Sequence, residues 1–195
     1  MHAVYATEPH PDAPLDGLAI GDRPEPDLPA GWARVRVRAA SLNRHDLWTL
    51  RGVGIKPEYF PMILGCDGAG VTDDGRNMVI YPVVGEPGFS GDETFDPTRS
   101  LLTERYQGTF AEYTGVPARN LVPLPDSLSF EAAATLGTTY LTAYRMLLTR
   151  SGLPAGSTIL VQGASGGVST ALIQLGRAVG FRVWATSRTQ LGRAR

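Results

Sequence analysis

Residues 158–186 restrict this chain more than any other stretch. A short apolar run, residues 158–162, leads into a turn that reads Gly163-Ala164-Ser165-Gly166-Gly167-Val168-Ser169. Beyond it, Val168, Ala171, Leu172, Leu175 and Val179 recur at i, i+3, i+4, i+7 and i+11, the spacing of one helix face, which Gly180 then stops. Residues 181–186 form a second β-type run. A strand, a helix and a strand within about 30 residues make the right-handed βαβ unit of a parallel sheet. The fold class expected here is α/β.

Within the turn, Gly166 holds the middle place of a G-x-G-x-x-G pattern whose outer places fall on Ala164 and Ser169. A glycine there lets backbone approach a pyrophosphate closely, and the helix N-terminus behind it supplies N–H donors and a positive dipole end. Ala164, Ser165, Gly166, Gly167 and Val168 are therefore candidate cofactor-binding residues. A site selective for NAD would carry an acidic residue at the end of the second strand, to hold the ribose 2′-OH. This chain has Thr186-Ser187-Arg188 there. The Ser187 hydroxyl and the Arg188 guanidinium suit a 2′-phosphate, so NADP(H) is preferred over NAD(H).

Upstream, the texture is that of short strands. Val35 and Val37 alternate with Arg34, Arg36 and Arg38, the period of a half-buried strand over residues 32–38. Residues 4–7, 78–81 and 110–114 are further β-type runs punctuated by Gly, Asn or Pro, and residues 83–106 are a Gly/Pro/Asp-rich loop. Ser129 is placed to cap a helix, with Glu131 in its first turn and Leu141, Tyr144 and Leu148 along one later face. The domain organisation expected is a small barrel-like β domain over residues 1–125 and an incomplete nucleotide-binding domain over residues 126–195.

Composition narrows the function classes. Hydrophobic residues make up 43% and charged residues 19%, enough for a packed core. Cys66 is the single cysteine, which excludes an internal disulfide and a Cys-rich zinc site. No apolar run approaches the ~18 residues of a membrane span, and the first residues lack a secretory pattern, so the cytoplasm is expected. The net charge is −1, yet no Asp or Glu follows Glu131 while seven arginines do. That bias fits an anion site; it equally fits a source that favours arginine, since Lys56 is the only lysine. The arginines are not interleaved with aromatics, which argues against nucleic acid.

Several ordered segments carry a family resemblance. They are Ala40-Ser41-Leu42-Asn43-Arg44-His45-Asp46-Leu47-Trp48, Pro61-Met62-Ile63-Leu64-Gly65-Cys66-Asp67-Gly68-Ala69-Gly70, Gly108-Thr109-Phe110-Ala111-Glu112-Tyr113, Pro123-Leu124-Pro125, residues 132–144 and the glycine turn. Together they resemble the medium-chain dehydrogenase/reductase superfamily, in its quinone oxidoreductase and zinc-binding dehydrogenase branches. The resemblance implies a GroES-like β-barrel domain followed by the first part of a Rossmann domain. It implies an oxidoreductase that passes hydride between a nicotinamide and a small carbonyl, enone or quinone. It also implies a homodimer or homotetramer, and a protein longer than this chain.

Departures from the family pattern bear on the metal. Zinc-dependent members supply a cysteine where Asn43 stands, a His-Glu pair where Cys66-Asp67 stands, and another cysteine near Thr138. Catalytic zinc usually needs three strong N or S donors plus an open position, and Asn43, Cys66, Asp67 and Thr138 do not offer that, so no zinc is expected. Nor do residues 83–106 carry the cysteines of a structural zinc lobe. Asn43 and His45 are then the candidate catalytic residues. Asn43 would orient substrate or nicotinamide through its amide, and His45 would relay a proton near neutral pH. Thr138 and Thr142 stand where relatives contact the nicotinamide. Simpler roles stay open: a turn residue for Asn43, a strand-end residue for His45, a turn-fixing carboxylate for Asp46, a buried filler for Cys66, helix caps for the threonines. Two rival functions stay open as well, a zinc-dependent alcohol dehydrogenase with atypical ligands and a non-catalytic nucleotide-binding protein.

Overall fold

The computed structural model describes residues 1–189. It separates into two compact units, Met1–Gly137 and Thr138–Arg195. The expected nucleotide-binding domain runs to residue 195, and residues 190–195 lie outside the described residues.

The first unit is rich in strands. Strands β1 (His2–Ala6), β2 (Leu18–Asp22) and β3 (Trp32–Ser41) precede helix α1 (Arg44–Leu50). Then come β4 (Met62–Ile63), β5 (Asp67–Thr72), β6 (Asn77–Ile80), β7 (Val83–Val84), β8 (Ser100–Leu101), β9 (Tyr113–Pro117), β10 (Leu121–Pro123) and helix α2 (Phe130–Ala134). Five strands form an antiparallel sheet in the order β10-β6-β5-β3-β9, three more the order β2-β1-β4, and β7 pairs with β8. Ala3 bridges to Ala111. The result is a curled half-barrel of the GroES type. Its core gathers Val35, Cys66, Ile80, Val84, Leu102 and Val116, all buried.

The expected alternation in β3 holds around Val35, which is fully buried, and the register against β5 shifts between Val37 and Ala39. Residues 67–72 do not read as a strand, because glycine is depleted from strands. They form β5 all the same. A Cβ on Gly70 would lie 2.2 Å from the Arg36 carbonyl oxygen, so the close approach of β3 and β5 requires a residue without a side chain there. The last strand of the five lies at Tyr113–Pro117, later than the expected residues 110–114, where Phe110 is spent on packing against Ala6, Leu50 and Leu64.

Ser129 caps α2 as expected, its hydroxyl accepting from the Ala132 N–H at 3.2 Å. Ala133 and Ala134 pack on Ala69 of β5. This contact places α2 with the first unit, Met1–Gly137. The helical stretch then continues through π-helical turns at Leu136–Tyr140 and Arg145–Arg150 on either side of α3 (Leu141–Tyr144).

In the second unit, β11 (Thr158–Val161) pairs in parallel with β12 (Arg182–Ala185), and α4 (Gly167–Ala178) connects them. One face of the pair is covered by α4, burying Val161 and Ala171. On the other face Leu160 and Trp184, register partners, are 63% and 69% exposed.

Candidate functional site

In the first unit, polar groups gather where β3 gives way to α1. Asn43 is extended at the helix N-cap, and its backbone N–H donates to Asp46 Oδ2 at 2.7 Å. Asp46 Oδ1 accepts from the Gly65 N–H at 3.0 Å, tying α1 to the segment before β5. Asp46 is buried, and burial pushes its carboxyl above the usual carboxylate range, helped by the charge of Asp67. The two N–H donors and nearby His45 oppose that shift without cancelling it.

The Asn43 side chain faces Asp67. Its Nδ2 donates to Asp67 Oδ2 at 2.9 Å and to the Ser41 carbonyl at 3.4 Å. The Ser41 hydroxyl donates to the same carboxylate oxygen at 3.4 Å. With an acceptor on each side, the amide orientation is assigned from its partners. The amide protons expected to reach a substrate are thus directed to protein acceptors. Asp67 is fully buried, and a Cβ on Gly137 would lie 2.4 Å from its Oδ1. Sequence reasoning weighed Asp67 only as a missing metal ligand. The signal for more was an acidic residue set among small and apolar ones, where a buried charge needs donors.

His45, on the first turn of α1, turns towards the 100–106 segment. Its Nε2 is buried without a hydrogen bond and lies 4.0 Å from Glu104 Oε1. The other Glu104 oxygen accepts from the Leu101 N–H at 2.8 Å, which aims Oε1 at the ring. Thr49 and Thr103 fasten the same segment to α1, their hydroxyls 3.2 Å apart. Thr103 adopts φ 75°, a left-handed conformation that a β-branched residue holds only when its surroundings enforce it. Glu104 was not singled out in the sequence, since its loop shows no period.

Cys66 is packed in the apolar core between β strands, and among the described residues no group of three or more His, Cys, Asp or Glu side chains is placed to hold a metal ion. Asn43 uses its amide nitrogen as a donor to Asp67.

In the second unit, the glycine turn lies at the head of α4. Gly163 adopts φ 71° and its N–H donates to the Thr186 hydroxyl at 3.2 Å. The Ala164 N–H donates to the Thr186 carbonyl at 2.8 Å, so the turn is tied to the end of β12. Gly166 is the N-cap of α4, with φ −77° and ψ 154°. A Cβ there would meet only ordinary contacts, at 3.5 and 3.7 Å. Neither backbone conformation nor packing explains this glycine. Ser165, Gly167 and Val168 lie in the turn and the first turn of α4, where helix N–H groups have no intrahelical acceptor. Ser187 and Arg188 follow β12, Arg188 exposed and the Ser187 hydroxyl donating to the Thr189 carbonyl at 3.2 Å. Thr138 lies in a π-helical turn and Thr142, exposed, in α3.

Similar proteins agree with this architecture. Residues 29–126 match the family described as the alcohol dehydrogenase GroES-like domain. A zinc-type alcohol dehydrogenase-like protein of Schizosaccharomyces pombe is 32% identical over 173 residues, which are 89% of this chain and 50% of that protein. An NAD-dependent alcohol dehydrogenase structure superposes with TM-score 0.89 at 34% identity, covering 100% of this chain and 61% of that one. The quinone oxidoreductase of Thermus thermophilus, whose complex with NADPH is known, does so with TM-score 0.75 at 32% identity, covering 98% and 54%. The chain thus spans about half the length of that curated relative. No described helix is long and apolar enough to cross a membrane. With half of its length matched to the family model and its half-barrel formed, the chain belongs to the alcohol dehydrogenase GroES-like domain family of the medium-chain dehydrogenase/reductase superfamily.

Proposed function

We propose that this chain supplies the GroES-like domain and the pyrophosphate-binding turn of a cytoplasmic, homo-oligomeric NADP(H)-dependent oxidoreductase acting on a small carbonyl, enone or quinone without zinc. The observation that carries this reading is Gly166: a glycine with no conformational or packing need, at the N-terminus of a 12-residue helix, leaves room for an anionic group against backbone donors. Arg188, exposed just past β12, offers a cation for a 2′-phosphate.

A bound nicotinamide supplies or accepts the hydride. Reduction of an enone also needs a proton, and His45, with Glu104 beside it, is the group that holds one. Asn43 is a fixed wall for substrate or nicotinamide, made rigid by Asp67 and Ser41. Thr138 and Thr142 are the contacts for the nicotinamide. The absence of zinc is supported by the donor chemistry: a core cysteine and an amide already engaged with a carboxylate. The likeness to a zinc-type dehydrogenase favours a second reading, a zinc enzyme with unusual ligands.

The test is titration of the intact protein with NADPH and NADH, a consumption screen against enones, quinones and aldehydes, and metal analysis. Tighter binding of NADPH and turnover of part of the panel are expected. Tighter binding of NADH would overturn the cofactor assignment. Binding without turnover would favour a non-catalytic protein, and one firmly held zinc per chain the second reading.

A further inference from the structure

A histidine that relays a proton keeps one on one ring nitrogen and exchanges another at the second, and what faces each nitrogen decides which is which. In His45, Nε2 is buried without a hydrogen bond, 4.0 Å from Glu104 Oε1. Nδ1 has no hydrogen bond among the described residues and is not one of the buried unpartnered atoms, so it stays within reach of solvent.

Glu104 is fixed in its place beside the ring. Its Oε2 accepts from the Leu101 N–H at 2.8 Å and from the Ser100 hydroxyl at 3.4 Å. Oε1, without a hydrogen bond among the described residues, is left to face Nε2. Thr49, one helical turn after His45 on α1, clamps the segment that carries Glu104. Its hydroxyl donates to the Thr103 carbonyl at 3.3 Å and lies 3.2 Å from the Thr103 hydroxyl, both residues fully buried. This clamp holds Thr103 at φ 75°, a conformation that only enforcing surroundings maintain. Asp46, the other carboxylate whose charge reaches His45, has both oxygens engaged by the Asn43 and Gly65 N–H groups.

We propose that Glu104 is a positioning residue that fixes the His45 tautomer, keeping a proton on Nε2 and leaving Nδ1 as the nitrogen that exchanges one. At 4.0 Å the carboxylate is too distant for a hydrogen bond, yet it attracts an Nε2–H dipole and repels a lone pair in the same place. For its chemistry the assignment rests on the dehydrogenase reading. Hydride from the nicotinamide adds to the enone β-carbon, and the balancing proton leaves Nδ1 of the imidazolium for the α-carbon. The ring is then neutral, with Nε2–H still against Glu104, and solvent returns a proton to Nδ1. The carboxylate orients the ring and takes no proton itself, as in other acid–histidine pairs.

The experiment is long-range proton–nitrogen NMR on the intact protein carrying isotope-labelled histidine, at about pH 9, where an imidazole is neutral. Protonated and bare ring nitrogens resonate far apart, and the His45 signals are those missing from His45→Gln. The wild-type ring is expected as the Nε2–H tautomer. Glu104→Gln keeps the shape and inverts the expectation: the Leu101 N–H claims the amide oxygen, so the amide NH2 donates to Nε2 and the ring proton moves to Nδ1. A merely structural role would lower the unfolding midpoint and leave the tautomer where it was. In enone reduction, kcat should fall about tenfold or more in Glu104→Gln with KM nearly unchanged. Three results would overturn the proposal: an Nδ1–H tautomer in the wild type, the same tautomer in both proteins, or an unimpaired kcat in Glu104→Gln. Absence of turnover in the wild type would sink the dehydrogenase reading instead, and the two tautomers would still decide the role of Glu104. Should Glu104→Gln fail to fold, the wild-type tautomer decides it alone.

Discussion

At the scale of single residues, Asp46 carries the most consequence. Its carboxylate accepts from two backbone N–H groups, of Asn43 and Gly65, yet burial still holds its pKa above the ordinary value. A carboxyl whose pKa is raised by folding binds its proton more tightly in the native state. Its contribution to stability is therefore present below the raised pKa and lost as pH climbs through it, the reverse of a salt-bridged aspartate. Denaturant unfolding from pH 7 down to about 4 should show the stability of the parent rising relative to Asp46→Asn. A constant difference, or one of opposite sign, would contradict the burial argument. The sequence made Asp46 legible as a turn-fixing carboxylate. It could not show the Gly65 partner, which lies on another segment. Asn43 was legible as a polar group in a family position, but not the direction of its amide, which Asp67 and Ser41 decide.

Elements were legible in proportion to how local their causes are. The α4 helix follows from apolar spacing and two glycines, and the α2 cap from Ser129. β5 was hidden because its glycines serve a neighbour rather than the strand itself. Gly70→Ala would drive a Cβ into the Arg36 carbonyl, and both are backbone-fixed. The expected cost is about 2 kcal/mol or more, read as a lowered denaturation midpoint; a neutral result would mean that β3 and β5 can separate. Gly166→Ala tests the opposite case. Its backbone is extended and its surroundings open, so stability should fall by no more than about 1 kcal/mol, the loss of a favoured N-cap residue. NADPH affinity should fall much further, because the added methyl occupies the approach to the helix N-terminus. Equal losses in both would remove the ligand as the reason for this glycine.

For the whole molecule, charge and fold combine in the second unit. All seven arginines beyond Glu131 stand in sequence without an acidic neighbour, and Arg188 follows β12, the strand whose end would read the ribose in the proposed function. Arg188→Ala should weaken NADPH by about tenfold and leave NADH nearly unchanged, measured as two dissociation constants. An equal loss for both nucleotides would make Arg188 a general electrostatic residue. What the sequence by itself determined is the βαβ unit, the glycine turn, the barrel-type strands and the family. Each rests on periodicity or on motifs whose residues are neighbours in the chain. Only the tertiary structure decided that Asn43 meets Asp67 across 24 positions and that Glu104 comes to His45. Those meetings depend on strand pairing and loop docking, and no local preference of backbone or side chain specifies which distant residue will stand opposite.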